Sequence, residues 1–409
     1  MELSNIYINI RKASIGNIIG GLLFTFYLLF FFYWGREAGF REIPTKILTP
    51  IFLIIAISMG SMKIFFNSVV IKKYIFLLLF GILSFFWITD YTTYIRQVQM
   101  MVGIIAIGLI VFHFVKRYNI AAIGFFTIFI SSLLLLKKGL DVSSVTFTSA
   151  LGELDADNTL ISYEENANTL AMLYLMGMCS IHAFKSIFYN KYIHFLIYVG
   201  ISALIYGISL TGSRSTLIAG VLLIILDFIT IESLKLWMKI VIVSVFVLFA
   251  LNFFESILFQ TGAGIKLLYT GETGSDLVRQ SMFNEAWKMY VYNPFFGIGL
   301  GNVVALSTFG LYTHNEFLEI MATMGTFGLI FYVSFLLYYF KTIRKLRLIN
   351  SQLYSAFANN FYVYIFMGLF GVWFTDAFFY ILLFIQLAEA ERIIANQKIK
   401  INLLRISKH

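Results

Sequence analysis

Long apolar segments recur along this chain and restrict it to very few folds. A helix that crosses a lipid bilayer needs roughly 20 mostly apolar residues. Only 12% of the residues are charged, whereas a soluble domain has about 25%. The sequence therefore predicts an all-α integral membrane protein with about twelve transmembrane helices. The predicted spans are 15–34, 47–66, 74–89, 97–115, 119–136, 168–185, 192–210, 215–231, 239–258, 316–340, 358–375 and 377–391.

Lys and Arg residues orient these predicted helices. If the N-terminus lies in the cytoplasm and the helices alternate in direction, 20 of the 30 Lys and Arg residues fall on the cytoplasmic side. Cytoplasmic loops of membrane proteins are enriched in these residues, so both termini are expected in the cytoplasm. The same bias accounts for the net charge of +9 without a nucleic-acid partner, and the expected surroundings are a lipid bilayer.

Two long loops are expected on the outer face, at 137–167 and 259–314. Loops of this length are usually functional. Within the second loop, residues 275–290 have helical periodicity, which predicts a helix lying in the membrane interface. Its apolar face carries Leu277, Phe283, Trp287 and Tyr290.

A histidine stands where the second loop meets the apolar segment 316–340. Thr313 and Glu316 have the spacing of a capping box, which would place His314 in the first helical turn. The helix dipole there disfavours imidazolium, and a neutral imidazole can act as a general base. The alternative is an interfacial histidine bonded to a carbonyl, and position alone does not decide. Small or apolar residues follow on about one face and predict close approach by a neighbouring helix: Leu318, Met321, Gly325 and Gly328.

Two arginines on the outer face suit a phosphate ligand. Arg214 lies in the turn TGSRST at 211–216, with Ser213 beside it, at the start of a predicted helix. Free backbone N–H groups and a guanidinium fork favour anions. Arg279 lies on the predicted helix 275–290. For both arginines the alternative is an anchor to lipid headgroups.

Other polar positions carry weaker predictions. The run NPFFGIGLGN at 293–302 has no βαβ unit around it, so it is not a dinucleotide fingerprint, but its glycines predict close backbone approach. In EENAN, Asn166 or Asn168 could cap a helix or bind a sugar, and the alternative is a solvated helix start. Asp376 could contribute to a site or cap a helix. The histidine spacing gives little support for a metal site.

His314, Arg214 and Arg279 all fall on the predicted outer face. A base and two phosphate-binding arginines beside lipid indicate transfer from a lipid-linked diphosphate to a hydroxyl. The arginines would stabilise the charge that develops on the leaving diphosphate.

Three motifs resemble those of one family. NPFFGIGLGN followed by THNEFLEIMATMGTFGLIFYV resembles the C-terminal signature of the O-antigen polymerase and ligase superfamily. TGSRST resembles that family's Ser-Arg turn, and EENANTLA resembles its Asn-Ala element. The resemblance covers the second half of the chain.

The resemblance implies a GT-C-like, inverting and metal-independent glycosyltransferase without a cofactor, in a bacterial inner membrane. Its donor would be an oligosaccharide on undecaprenyl diphosphate, with His314 as the base and the diphosphate on Arg214, Arg279 and Ser213. Further substrate contacts are expected at Asn315, Glu316, Asn302, Asn166, Asn168 and Asp376. The preferred interpretation is a repeat-unit polymerase for O-antigen or capsule, which would have a chain-length regulator as partner. An O-antigen ligase and a non-enzymatic flippase stay open as alternatives.

Overall fold

The computed structural model describes residues 15–36, 40, 42–141, 167–187, 191–211, 213–230, 237 and 274–406. These residues form helices and connecting turns, without a β-strand. The α-helices are α1 Ile15–Phe32, α2 Thr49–Ser58, α3 Ser61–Phe66, α4 Val69–Leu83, α5 Tyr91–Tyr118, α6 Ala121–Asp141, α7 Ala167–Lys185, α8 Lys191–Leu210, α9 Arg214–Ile229, α10 Gly274–Tyr292, α11 Asn302–Leu306, α12 Glu316–Arg344, α13 Ser351–Gly368 and α14 Ala377–Ile406. A π-helix at Ile43–Leu48 and short 3₁₀ turns at Trp34–Arg36, Ser84–Trp87 and Lys345–Leu348 complete the described helices.

Five helical segments within the described ranges are long and apolar enough to cross a membrane: Ile15–Arg36, Val69–Trp87, Tyr91–Tyr118, Tyr192–Leu210 and Glu316–Leu348. The all-helical fold is consistent with an integral membrane protein. The total of twelve spans stays a prediction, and the predicted span 239–258 lies outside the described residues.

The helices pack into a bundle with an aromatic core. α12 packs against α4, α14 against α5, and α6 against α7, while α9 packs against α13. Large side chains fill the interior, and many of them carry hydroxyls that find partners inside the protein. The most buried tyrosines are Tyr27, Tyr74, Tyr174, Tyr332, Tyr339, Tyr364 and Tyr380.

Several predicted spans differ from the observed helices, and two of them have a clear structural cause. The segment 47–66 is divided, because Gly60 has a φ of 75° and separates α2 from α3. A left-handed residue ends an α-helix, and glycine adopts that conformation without a Cβ clash. The observed helix α13 begins and ends earlier than the predicted span 358–375. It begins earlier because Asn350 caps it through the Leu353 N–H, and it stops at Gly368.

A backbone break divides α12 at Gly325. This residue has φ 64° and ψ −165° inside an otherwise helical segment. The loop 294–299 enters the break: the N–H groups of Ile298 and Gly299 donate to the carbonyls of Ala322 and Thr323, both at 2.9 Å. On the other side, Thr326 N–H donates to the Pro294 carbonyl at 2.8 Å. The loop thus pairs backbone groups that the break leaves without helical partners.

Glycines are required at this junction because two backbones meet. A Cβ on Gly297 would lie 2.4 Å from the Thr323 carbonyl carbon, and one on Gly325 would lie 2.3 Å from the Phe295 oxygen. The prediction that the glycine run serves close backbone approach therefore agrees with the structure. The expectation that a neighbouring helix approaches Gly325 was wrong, because the approaching segment is a loop.

Candidate active site

Helix α10 runs alongside the first turns of α12. Met282 and Ala286 are its buried residues, and Ala286 packs in a small cluster with Ala322 of α12. One turn after Ala286, the Tyr290 hydroxyl lies 3.1 Å from the Thr326 hydroxyl. The structure thus has a helix at the predicted position, while its orientation relative to the membrane stays a prediction. Trp287, predicted on the apolar face, is 53% exposed on the protein surface.

His314 lies outside α12, which corrects the predicted capping box. The N-cap is Asn315, whose side-chain oxygen accepts from the Leu318 N–H at 2.9 Å. His314 precedes it with a φ of 55°, in the left-handed region. Histidine is enriched there relative to most side chains, and asparagine is among the best N-caps. The helix therefore starts two residues later than Thr313 would have placed it.

The loop that carries His314 is fixed by hydrogen bonds on both sides. The buried carboxylate of Glu319 accepts from the Thr313 N–H at 2.9 Å. The Thr313 hydroxyl donates to the Asn315 carbonyl at 2.8 Å, and the Asn315 amide donates to the Leu369 carbonyl beyond α13 at 3.2 Å. Both neighbours of His314 are thereby held, so its backbone position is determined.

The charge state of His314 is set by burial and by Arg279. Half-burial and the nearby guanidinium lower the pKa of His314 to about 4, because both disfavour the imidazolium form. None of the described residues hydrogen-bonds the ring of His314. At neutral pH the imidazole is therefore uncharged and its ring can accept a proton.

Tyr312 borders the same histidine and lies within reach of the Asp376 charge. The Tyr312 ring centroid lies 4.6 Å from that of His314. Burial raises the pKa of Tyr312, with further contributions from the charges of Asp376 and Glu319, while Arg279 opposes them. Burial also raises the pKa of Asp376, which accepts from the Phe378 N–H at 2.8 Å. These charges place a base, a guanidinium, a phenol and a carboxyl group in one cluster.

Glu316 turns away from this cluster into the bundle. It is 1% exposed, and its Oε1 accepts from the hydroxyls of Tyr332 and Tyr364, the latter at 3.0 Å. The two hydroxyls are also 2.8 Å apart. A buried carboxylate needs such donors. These contacts favour a structural role for Glu316 over the predicted contact with substrate.

Asn302 is likewise occupied by the protein. It is fully buried, and its Oδ1 accepts from the backbone N–H of Thr89 at 3.3 Å and of Asp90 at 3.2 Å. Its amide donates to the Ile298 carbonyl at 2.6 Å. The side chain joins the loop before α5 to the glycine run, which favours a structural role here too.

A family model described as O-antigen ligase matches residues 199–333, from within α8 to the middle of α12. His314, Arg279 and Arg214 all fall inside the matched segment. The matched segment is about a third of the chain and supports membership of the O-antigen ligase and polymerase superfamily. It contains the predicted motifs TGSRST, NPFFGIGLGN and THNEFLEIMATMGTFGLIFYV, whereas EENANTLA lies outside it. The match supports a function in the ligation or polymerisation of lipid-linked polysaccharide. No curated protein matches the chain.

Arg214 lies on a different element from His314 and Arg279. It is the first residue of α9 and is half-buried. α9 packs against α13, and the Asn315 amide bonds to the residue that follows α13, so α13 connects α9 to the His314 loop. Ser213 is buried, with its hydroxyl 2.9 Å from that of Thr216, and is therefore engaged within the protein.

Of the two asparagines predicted to contact substrate near the start of α7, the structure describes only one. Asn168 is exposed near the start of α7, whereas Asn166 lies outside the described residues. An open cleft of about 500 Å³ lies between the 3₁₀ turn at Ser84–Trp87 and the glycine run. Its lining includes none of the predicted site residues.

Within the described ranges, no three His, Cys, Asp or Glu side chains are grouped as a metal site.

Sequence reasoning missed three residues of the candidate site. Glu319 was not singled out, although a carboxylate five residues after a histidine is a usable signal once the helix start is known. Tyr312 lies two residues before the histidine, at the end of the predicted loop 259–314, and was not singled out. Arg36 was not singled out either; it lies 4.0 Å over the Phe378 ring and its charge acts on Asp376.

Proposed function

We propose that this protein is a membrane glycosyltransferase that polymerises lipid-linked repeat units of O-antigen or capsule. The observation that carries the proposal is His314, uncharged at neutral pH, held in a fixed loop beside Arg279. A neutral base next to a permanent cation suits deprotonation of a hydroxyl beside an anionic leaving group. The match to the O-antigen ligase family supports this kind of reaction, and the twelve-span, GT-C-like architecture is part of the proposal.

The proposed reaction is a single displacement. The acceptor hydroxyl oxygen attacks the anomeric carbon of the donor glycan and its proton passes to His314. The bond between the anomeric carbon and the diphosphate oxygen breaks, and undecaprenyl diphosphate leaves with the electron pair. Attack from the face opposite the leaving group inverts the anomeric configuration. Arg279, and Arg214 if it reaches the bound donor, would stabilise the charge on the leaving diphosphate.

The test uses purified protein in nanodiscs with the host's lipid-linked repeat unit as the only substrate. Wild type is expected to give a ladder of lengthened lipid-linked products, and His314→Ala is expected to give none while still binding undecaprenyl diphosphate. Removal of a general base typically lowers the rate by about 10² to 10⁴-fold. A ladder of equal intensity from His314→Ala would refute the role of the base.

The description of the matching family favours a second candidate, an O-antigen ligase. A ligase would transfer a finished glycan to a lipid A core, so wild type would make no ladder until that acceptor is added. Transfer to lipid A core without self-extension would replace the polymerase proposal. Movement of the lipid-linked unit across vesicles without any transfer would instead indicate a flippase, although charges that cluster around one histidine favour an enzyme.

A further inference from the structure

Tyr312 presents an accessible aromatic ring beside the proposed base. It is 40% exposed, although the ring lies against His314 with 4.6 Å between centroids and 51° between the planes. Its backbone position is fixed by the next residue, because Thr313 N–H bonds to Glu319. A ligand whose hydroxyl reaches the His314 ring would therefore also contact the Tyr312 ring.

The charges around Tyr312 restrict the chemistry of that ligand. Its phenol keeps its proton at neutral pH, because burial raises the pKa of Tyr312. Asp376 and Glu319 act on it as negative charges, so this side of the cluster disfavours an anion, while Arg279 favours one. The negative face of an aromatic ring also disfavours phosphate. An alkyl chain would have to lie among these charged groups at a desolvation cost.

A pyranose ring meets these conditions. It is neutral, it offers C–H bonds on one face to an aromatic ring, and it carries hydroxyls at its edge for a carboxylate such as Asp376. Because Tyr312 lies beside the proposed base, a sugar that contacts Tyr312 is the one whose hydroxyl is deprotonated. That sugar is the acceptor.

We propose that Tyr312 is the stacking platform for the acceptor sugar, while Arg279 binds the diphosphate of the donor. The proposal rests on the function proposed above and adds a binding residue for the acceptor. Tyr312 is here a binding residue, and the proton transfer stays with His314.

The experiment measures binding of two separate probes to the protein in nanodiscs. One probe is the host's repeat-unit glycan released from its lipid by mild acid, and the other is undecaprenyl diphosphate. The variants are Tyr312→Leu, which removes the ring, and Tyr312→Phe, which keeps it. Tyr292→Leu is the matched control, since Tyr292 is an 82% exposed tyrosine at the end of α10.

Tyr312→Leu is expected to weaken glycan binding about fivefold, because aromatic contacts are worth roughly 1 kcal/mol and about 1.4 kcal/mol is tenfold. Tyr312→Phe and Tyr292→Leu should bind the glycan as wild type does, and all variants should bind undecaprenyl diphosphate equally. In turnover, Tyr312→Leu should raise the acceptor KM with little change in kcat.

Three results would overturn the proposal: no glycan binding by wild type, unchanged binding by Tyr312→Leu, or equal loss of glycan and diphosphate binding in that variant. The last result would mean that Tyr312 only supports the loop. Because binding requires no turnover, the sugar subsite can be tested separately from the transferase reaction. Ring-dependent glycan binding without any product would retain the subsite and refute the polymerase.

Discussion

His314 holds a backbone conformation that few side chains adopt. A left-handed φ costs a non-glycine residue roughly 1–2 kcal/mol, so the surrounding contacts must offset it. The hydrogen bonds of Thr313 to Glu319 and of Asn315 to Leu369 do so from both sides. Strain of this kind is concentrated at functional sites, and here it turns the imidazole out of the helix toward Arg279 and Tyr312.

Arg279 should control the acid limb of the pH–rate profile. With a pKa of about 4, His314 stays neutral and active well below neutral pH, and activity falls as pH drops through that pKa. Arg279→Gln removes a positive charge that disfavours imidazolium, so the pKa of His314 should rise toward its ordinary value and the acid limb should move to higher pH. Arg279→Lys keeps the charge and serves as the control. The measurement is kcat/KM against pH, and an unmoved limb in Arg279→Gln would contradict the coupling.

Glu319 should act on catalysis through the position of His314. Glu319→Ala removes the acceptor for the Thr313 N–H, so the loop can shift, and misplacement of about 1 Å can lower a rate about 10²-fold. Glu319→Gln keeps an oxygen acceptor and should retain more activity than Glu319→Ala. Single-turnover rates at saturating donor separate this effect from donor binding, which should not change. Wild-type rates in Glu319→Ala would exclude the positioning role.

At the residue scale, the sequence predicts the candidate base and its neighbouring cation but not the residues that hold them in place. His314 and Arg279 are predicted because their residue types and their place in the outer loop suit the proposed reaction. Glu319 was missed because its partner depends on where α12 begins. With the start placed at Thr313, Glu316 would be the reciprocal carboxylate of the cap. With Asn315 as the cap, Glu319 accepts the Thr313 N–H, and Glu316 binds Tyr332 and Tyr364 instead.

Among the elements, the broken helix α12 organises the outer end of the molecule. Its first segment carries the His314 loop and packs against α10, and its break accepts the loop 294–299. Backbone groups in a helix break need partners when water is absent. The loop provides them, so α10, the glycine run and α12 form one connected unit that holds Arg279 near His314.

Two glycines with similar φ values distinguish backbone strain from steric overlap. Gly60 has a φ of 75°, and the position that a Cβ would take there has no heavy atom within 4 Å. Gly325 has a φ of 64°, and a Cβ there would lie 2.3 Å from the Phe295 oxygen. Gly60→Ala should therefore cost about 1 kcal/mol from strain alone, and Gly325→Ala should cost roughly 1–3 kcal/mol more from overpacking. Thermal unfolding in detergent measures both, and equal losses would show that the loop does not pack into the break.

The positions of the helices could be predicted from the length of the apolar segments, but the breaks within the helices could not. The mostly apolar run from Ile15 to Phe32 is helical, and it contains no proline and no charged residue. The breaks at Gly60 and Gly325 depend on a left-handed φ, and glycines elsewhere, such as Gly103 and Gly124, sit within helices without one. What distinguishes Gly325 is the loop packed against it, which lies about 30 residues away in sequence and has no local signal.

Across the whole molecule, polar clusters occupy opposite ends of the helices. α9 begins at Arg214, and near its other end Asp227 bonds to His182 at 2.9 Å and to Lys185 at 2.5 Å. These contacts join the ends of α7 and α9, with the Tyr198 hydroxyl of α8 at 3.2 Å from Asp227. Removing one partner of a buried ion pair is strongly destabilising, so this cluster fixes the three helices far from Arg214.

The two ends can be assigned to the two sides of the membrane by cysteine labelling. α14 has 30 residues, about 45 Å of helix, which exceeds the roughly 30 Å hydrocarbon core. α14 begins directly after Asp376, which belongs to the proposed site, and Lys400 is exposed near its other end. Lys400 should therefore lie on the opposite side of the membrane from Gln280, an exposed residue of α10. The native Cys179 is buried and should not react. In right-side-out vesicles, an impermeant maleimide should label Gln280→Cys and should label Lys400→Cys only after permeabilisation. The reverse pattern would place the site on the cytoplasmic face and contradict the orientation inferred from Lys and Arg.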